Sequence, residues 1–482
     1  MGTVIYFHKL SYRRITYLSF TNYFATFEPF KKQQKMKNNN RIGAIMAIAS
    51  VAFFASCSNG PKSESFIANI ETHSCAADTS IHYSLYTPKS DGQKLPAIIF
   101  FDPHTHGQIP VAEYAQLASE YNYLLIGSND LHNGQSATNT SKIVSGLINE
   151  AISQCNADEN RIYLCGFSGG AKIAMMYGLS LPEINGVIAC GGSIAPSVRR
   201  DSTFCFVGIV GNKDFNYLDM QQTLAQFSKL NIPFTSVVFD GRHEWPSASD
   251  FRNAFIALEI NAMRVGEKPA NVEWLKSIYN AMGDSVNNYM AMGSYAKASE
   301  YIGRIQGWFG SVDKDIRLSA FLSNLNSNYV YQNYLEKIQN LAAKEVALRG
   351  QFINSVETRD LDWWKNEIEN FNKSISSNDE QVSLTSQRLM AYLSMMSFSL
   401  ASNEISSNNA ESAYKRLQIY EMVDPDNTDV YLLYARYYLL INDREQMVAN
   451  YKKAVDKGFT DFDQYASDPS WKMLFAQPEI CR

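Results

Sequence analysis

Arg161-Ile-Tyr-Leu-Cys-Gly-Phe-Ser-Gly-Gly-Ala-Lys172 is the stretch whose reading decides the fold. Residues 162–165 form a short apolar run of the kind that is buried as a strand. Gly166-Phe-Ser-Gly-Gly170 then gives G-x-S-x-G, and residues 171–177 continue in small residues suited to a closely packed helix. Strand, sharp turn and helix in that order make a nucleophile elbow, in which glycines permit the turn and the serine hydroxyl is lifted above the sheet edge. Patterns of small residues recur by chance, so the weight lies in what flanks this one.

Upstream, residues 95–101 are continuously apolar, as in a strand covered on both faces. Before them, residues 67–72 and 81–86 alternate apolar and polar, which predicts a half-exposed antiparallel pair. Helical patterns at 111–121 and 141–155 alternate with the apolar run 123–127 and the elbow strand. Downstream, strand-like runs fall at 186–190, 204–210 and 235–239, and an amphipathic helix at 250–264 closes the series. Strand and helix in alternation predict an α/β fold: a mostly parallel sheet with helices on both faces. After Gly266 the strand pattern stops and helical periodicity takes over. The chain therefore divides at residues 66–266, an α/β domain, and 267–482, a helical domain.

The bulk numbers agree with that division. A chain of 482 residues with 45% hydrophobic and 19% charged residues is globular and too long for one ordinary core. Its net charge is −5, yet Lys and Arg dominate the first 56 positions, so the body is acidic. An acidic body excludes nucleic acid as the expected partner, because phosphate binding needs clustered cations. The seven cysteines show no C-x-x-C spacing, which argues against zinc. Cys165, Cys190 and Cys205 read as small buried apolar residues, whereas Cys75, Cys155 and Cys481 are placed to pair in an oxidising compartment.

The front of the chain reads as an address. Residues 42–56 are an apolar run preceded by Lys37 and Arg41, too short to span a bilayer and typical of a secretion signal. The run ends Phe54-Ala-Ser-Cys57, which resembles the lipobox of bacterial lipoproteins. The resemblance implies a signal peptide at 36–56 starting from Met36, lipidation of Cys57, and a chain anchored at the cell envelope. Residues 1–35 then read as a mis-assigned start, and residues 57–65 as a polar tether.

A serine hydroxyl is a weak nucleophile until a neighbouring base takes its proton. That base is usually His, oriented by a carboxylate. Residues 204–210 run into Gly211-Asn-Lys-Asp214, and residues 235–239 into Asp240-Gly-Arg-His243, so the order Ser, acid, His is present. Each interval leaves room for one crossover helix, and His243 is the only histidine after Ser168. Asp240 and Glu244 are weaker candidates for the acid, being close to His243 along the chain.

With those residues in hand, residues 67–264 resemble the α/β-hydrolase superfamily, above all its secreted esterases of the feruloyl-esterase and polyhydroxybutyrate-depolymerase type. Gly166 to Gly170, Gly211 to Asp214 and Gly241-Arg-His-Glu-Trp-Pro246 carry the resemblance. It implies Ser168 as nucleophile, His243 as general base and then acid, and Asp214 as the orienting carboxylate. It also implies an oxyanion hole from the backbone N–H of Gly169 and of His104 or Thr105, in the loop after residues 95–101. No cofactor is implied. His104-x-His106 can also be read as a metal pair, but without a placed third ligand it predicts no metal site. His106, Asn129 and His132 lie in loops on the same sheet edge and read as substrate contacts, although Asn133-Gly134 there also suits a turn.

In the helical half, residues 428–461 resemble a tetratricopeptide repeat, with Ala435, Tyr438, Tyr451 and Ala454 where helix-pair packing needs them. Ala401, Ala413 and Pro425 keep the same phase one window earlier, and Gly293-Ser-Tyr-Ala-Lys-Ala298 looks like a degenerate copy. Taken together, the sequence predicts a lipid-anchored serine hydrolase acting on small-molecule or polysaccharide-linked esters, with a protein partner possible through the helical half. The competing expectations are a serine peptidase and a non-catalytic interaction lipoprotein.

Overall fold

The computed structural model describes residues 68–196, 203–230, 232–310, 316–460, 469–477 and 480. The signal, Cys57, the tether and Cys481 lie outside the described residues.

Eight strands form one sheet in the order β1-β2-β4-β3-β5-β6-β7-β8. They are β1 (Glu71–Ser74), β2 (His82–Tyr86), β3 (Leu95–Phe101), β4 (Leu124–Ser128), β5 (Ala157–Phe167), β6 (Ile184–Cys190), β7 (Cys205–Gly211) and β8 (Phe234–Phe239). β1 pairs antiparallel with β2 and β2 with β4, while the remaining pairings are parallel. Helices α1 (Gln108–Tyr121), α2 (Ala137–Ser153), α3 (Gly169–Ser180), α4 (Tyr217–Leu230) and α5 (Ala248–Val265) connect or follow them.

Both faces of the sheet are buried, and side chains alternate between them with the two-residue period of a strand. Ile98 and Phe100 of β3 join Val111, Tyr114, Phe251 and Phe255 in one core. Ala97, Ile99 and Phe101 face the other, with Ile143, Leu147, Met175 and Met220. Continuous apolar strands are thus explained by helices on either side. The architecture is a mostly parallel α/β sheet with helices on both faces, followed by a helical region. Two strands differ most from their sequence reading. β5 begins earlier, at Ala157, because half-buried Asp158 and exposed Glu159 and Asn160 extend it beyond the sheet's cover, and β1 is displaced to Glu71–Ser74.

α5 ends at Gly266, whose left-handed backbone (φ 88) stops the helix and accommodates no side chain easily. Every described element after it is helical: α6 (Val272–Ala291), α7 (Tyr295–Phe309), α8 (Ile316–Ser327), α9 (Tyr329–Thr358), α10 (Leu361–Ile375), α11 (Glu380–Ser406), α12 (Ala410–Val423), α13 (Thr428–Leu440), α14 (Arg444–Asp456) and α15 (Pro469–Phe475).

The change of secondary structure at Gly266 is not a change of core. Tyr279, Met282, Val286, Ile302 and Ile305 belong to the same apolar cluster as Ile98 and Phe255. α7 lies along the edge strand β8, where Glu300 accepts from the N–H of Val238. An open strand edge is thereby covered. Independent clusters begin only further on, around Phe352, Trp364 and Leu393, and around Ala413, Ala435 and Ala454.

Candidate active site

The parallel strands deliver four loops to their carboxyl-terminal edge, where α/β sheets place their ligand sites. The first is the elbow. Ser168 has φ 53 and ψ −114, a strained conformation for a residue with a side chain, held by its N–H donating to Cys190 O at 2.9 Å. Gly170 is required beside it: a Cβ there would stand 1.9 Å from the carbonyl oxygen of Phe101, so only glycine lets α3 approach β3 so closely.

The loop after β7 carries Asp214 and the loop after β8 carries His243. Ser168 Oγ lies 2.9 Å from His243 Nε2, and His243 Nδ1 lies 3.0 Å from each oxygen of Asp214. The carboxylate only accepts, so Nδ1 carries the proton and Nε2 is left to accept from the serine hydroxyl. Asp214 is fully buried, and its Oδ1 also accepts from the N–H of Asn216 at 2.7 Å. The imidazole packs against the rings of Phe167 and Phe215, at 4.7 and 4.4 Å between centroids. The alternative acids face elsewhere. Asp240 pairs with Lys213 at 2.7 Å with its side chain mostly exposed, and that hydrogen bond holds its carboxyl below the usual range. Glu244 accepts from the N–H of Arg242.

The fourth loop, after β3, corrects one expectation. The N–H of His104 donates to Asp102 Oδ1 at 2.9 Å, and the N–H of Thr105 donates to Leu131 O at 3.1 Å. Both amides anticipated for an oxyanion hole are engaged inside the protein. Asp102 is buried and its second oxygen accepts from Trp245 Nε1 at 2.9 Å, which ties this loop to the one bearing His243. The N–H of Asn133 donates to Pro103 O at 3.0 Å, and His104 bridges to His132, so residues 129–134 are knitted to the same loop.

That knitting brings in a residue the sequence did not single out. A Cβ on Gly169 would stand 2.0 Å from Asn133 Oδ1, so the carboxamide of Asn133 lies directly over the residue after the nucleophile. Gly169 opens α3, and the first N–H groups of a helix have no intrahelical acceptor. Asn129, by contrast, is turned to β2, where its Nδ2 donates to Ser84 Oγ at 3.1 Å, which corrects its reading as a substrate contact. His106 is half-buried in the β3 loop, and His132 is exposed with Nδ1 2.8 Å from the carbonyl of Asn133. Among the described residues no three His, Cys, Asp or Glu converge to hold a metal ion. Cys165, Cys190 and Cys205 are buried in the sheet, and Cys75 and Cys155 are free.

No family model matches the chain, and no curated protein matches it. Among solved structures, the chain is similar to fluorophosphonate-binding serine hydrolase F of Staphylococcus aureus, at 9% identity and TM-score 0.33, over 40% of this chain and 98% of that one. It is similar to a hyperthermophilic esterase of the archaeon Pyrobaculum calidifontis, at 11% identity and TM-score 0.33, over 41% of this chain and 84% of that one. A ferulic acid esterase is similar at 15% identity and TM-score 0.32, over 41% and 98%. Likenesses of this size add nothing to the geometry, and the site is read from its own atoms.

Proposed function

We propose that the protein is a serine hydrolase that cleaves carboxylic esters through an acyl-enzyme on Ser168. The observation that carries the reading is the continuous hydrogen-bonded chain from Ser168 Oγ through His243 to buried Asp214.

In this reading Ser168 Oγ attacks the ester carbonyl as its proton passes to His243 Nε2. Asp214 keeps the imidazole in the required tautomer and stabilises the imidazolium that forms. The carbonyl oxygen becomes an oxyanion, which in this reading the N–H of Gly169 receives together with the NH2 of Asn133, once that carboxamide, whose oxygen lies over Gly169, has rotated. A carboxamide presents either its oxygen or its NH2 to one point by rotating about its last bond. His243 then returns the proton to the leaving alcohol oxygen. Water, deprotonated by the same nitrogen, attacks the acyl-serine, releases the acid and restores the hydroxyl.

The acidic body and the apolar surroundings of His243 support a neutral ester over a polyanionic substrate. We also propose, from the sequence alone, that Cys57 is lipidated and anchors the enzyme at the cell envelope. Mass measurement of the mature amino terminus tests that part separately. For the catalytic part, the test is a panel of acetyl, feruloyl, short-chain and long-chain esters. Hydrolysis of at least one, abolished by Ser168→Ala, supports the reading. Equal turnover by wild type and Ser168→Ala overturns it.

A further inference from the structure

The loop that presents Asp214 is gripped from two sides. The sheet holds its N–H groups: Asn212 N donates to Phe239 O at 2.9 Å and Lys213 N to Gly241 O at 3.0 Å. The helical region holds its C=O groups. Arg388 Nη1 donates to Asn212 O at 3.0 Å, and Arg349 Nη2 donates to Phe215 O at 2.7 Å. These two carbonyls flank Asp214 in sequence, and both guanidinium groups come from more than 130 residues away.

The two arginines are themselves locked. Glu345 is fully buried, and its carboxylate accepts from Arg349 Nη2 at 2.6 Å and from Arg388 Nε at 2.9 Å. Glu345 and Arg349 are one turn apart on α9, so they share a face. Arg388, from α11, also packs over the ring of Tyr217, and Arg349 over that of Tyr392. Phe215 completes the link: one side of its ring meets His243, and it packs against the helical cluster of Phe352 and Trp364. Replacing a buried ionic cluster by apolar side chains of equal volume is often neutral or stabilising, so stability alone gives no reason for this one.

We propose that the helical region is a working part of the active site, with Arg349 and Arg388, fixed by Glu345, acting as positioning residues for Asp214. This rests on the triad reading given above. The two arginines touch no reacting atom and act through the backbone on either side of the acid. Charge-assisted bonds to both carbonyls fix the direction of the carboxylate, and a misplacement of about 1 Å in such a group costs about 10²-fold in rate.

The test uses the full chain with Arg349→Gln, Arg388→Gln and the milder Arg388→Lys. A lysine keeps the charge opposite Glu345 but cannot hold Glu345 and Asn212 O together in one planar fork. Thermal unfolding establishes that each variant is folded. The expected result is a fall in kcat of about tenfold to 10²-fold in the glutamine variants, with KM nearly unchanged and Arg388→Lys intermediate. The pH–rate profile departs from that of wild type as well, because the carboxylate that faces the imidazole is displaced. The low-field NMR signal of the His243 Nδ1 proton weakens in parallel, a readout that needs no substrate. Folded variants with wild-type kcat, pH profile and low-field signal overturn the proposal. Failure of the triad reading itself shows differently, as Ser168-independent turnover in wild type.

Discussion

Asp214→Asn changes one atom and leaves the shape of the site intact, so its effect can be worked from distances. The carboxylate oxygens stand 3.0 Å from His243 Nδ1. At an effective dielectric of about 20, opposite unit charges at that separation attract by about 5.5 kcal/mol, present only while the imidazole is cationic. Removing that attraction from the transition state corresponds to a loss of about 10⁴ in kcat. The tautomer adds to it. Asn216 N continues to require an acceptor, so the new Nδ2 turns to His243 and leaves Nε2 protonated toward Ser168. The assay is steady-state hydrolysis of an activated ester by the purified variant, with Asp240→Asn and Glu244→Gln as controls that stay near wild type. A loss below about tenfold in Asp214→Asn, or an equal loss in Asp240→Asn, refutes the assignment of the acid.

Asn133→Ala removes the proposed side-chain oxyanion donor and is expected to lower kcat by about 10²–10³ with little change in KM; unchanged kcat removes Asn133 from the site. Truncation after Gly266 strips Tyr279, Met282, Val286, Ile302 and Ile305 from the core they share with the sheet. At about 1.5–3 kcal/mol for each buried side chain, the loss rivals the whole stability of a domain, about 5–15 kcal/mol. The truncated chain is therefore expected to lack cooperative unfolding by circular dichroism, and a folded monomer with the full-length Tm contradicts the shared core. Burial pushes the Cys205 thiol up to about 12, so iodoacetamide is expected to leave it unmodified at neutral pH until denaturant is added. Rapid labelling of the native protein refutes that burial.

Much of the sheet could be read directly because its strands are covered on both faces and their apolar runs are unbroken. Residues 95–101 are such a case, and β3 coincides with them. The start of β5 escaped notice because Asp158, Glu159 and Asn160 project beyond the covered part of the sheet. The order of Ser168, Asp214 and His243 stood out since no other histidine follows the serine. The oxyanion loop misled for a local reason. Asp102 bonds the N–H two residues on, an Asx turn that its position before Pro103 already favoured. Asn133 was hidden by its neighbour Gly134, a dipeptide that signals a turn whatever else it does. Glu345 and Arg349 look in sequence like an ordinary solvated pair on a helix face. Their partners lie across the molecule, where only the packing of α9 and α11 against the acid loop reveals them.

The proposed chemistry turns on one activated hydroxyl. Incubation of the full chain with a fluorophosphonate, followed by peptide mass spectrometry, measures it without knowledge of the substrate. A single adduct on the peptide containing Ser168, absent from Ser168→Ala and slowed in His243→Ala, is the predicted result. An unmodified Ser168 in the folded wild-type protein, or an adduct that persists in Ser168→Ala, contradicts it.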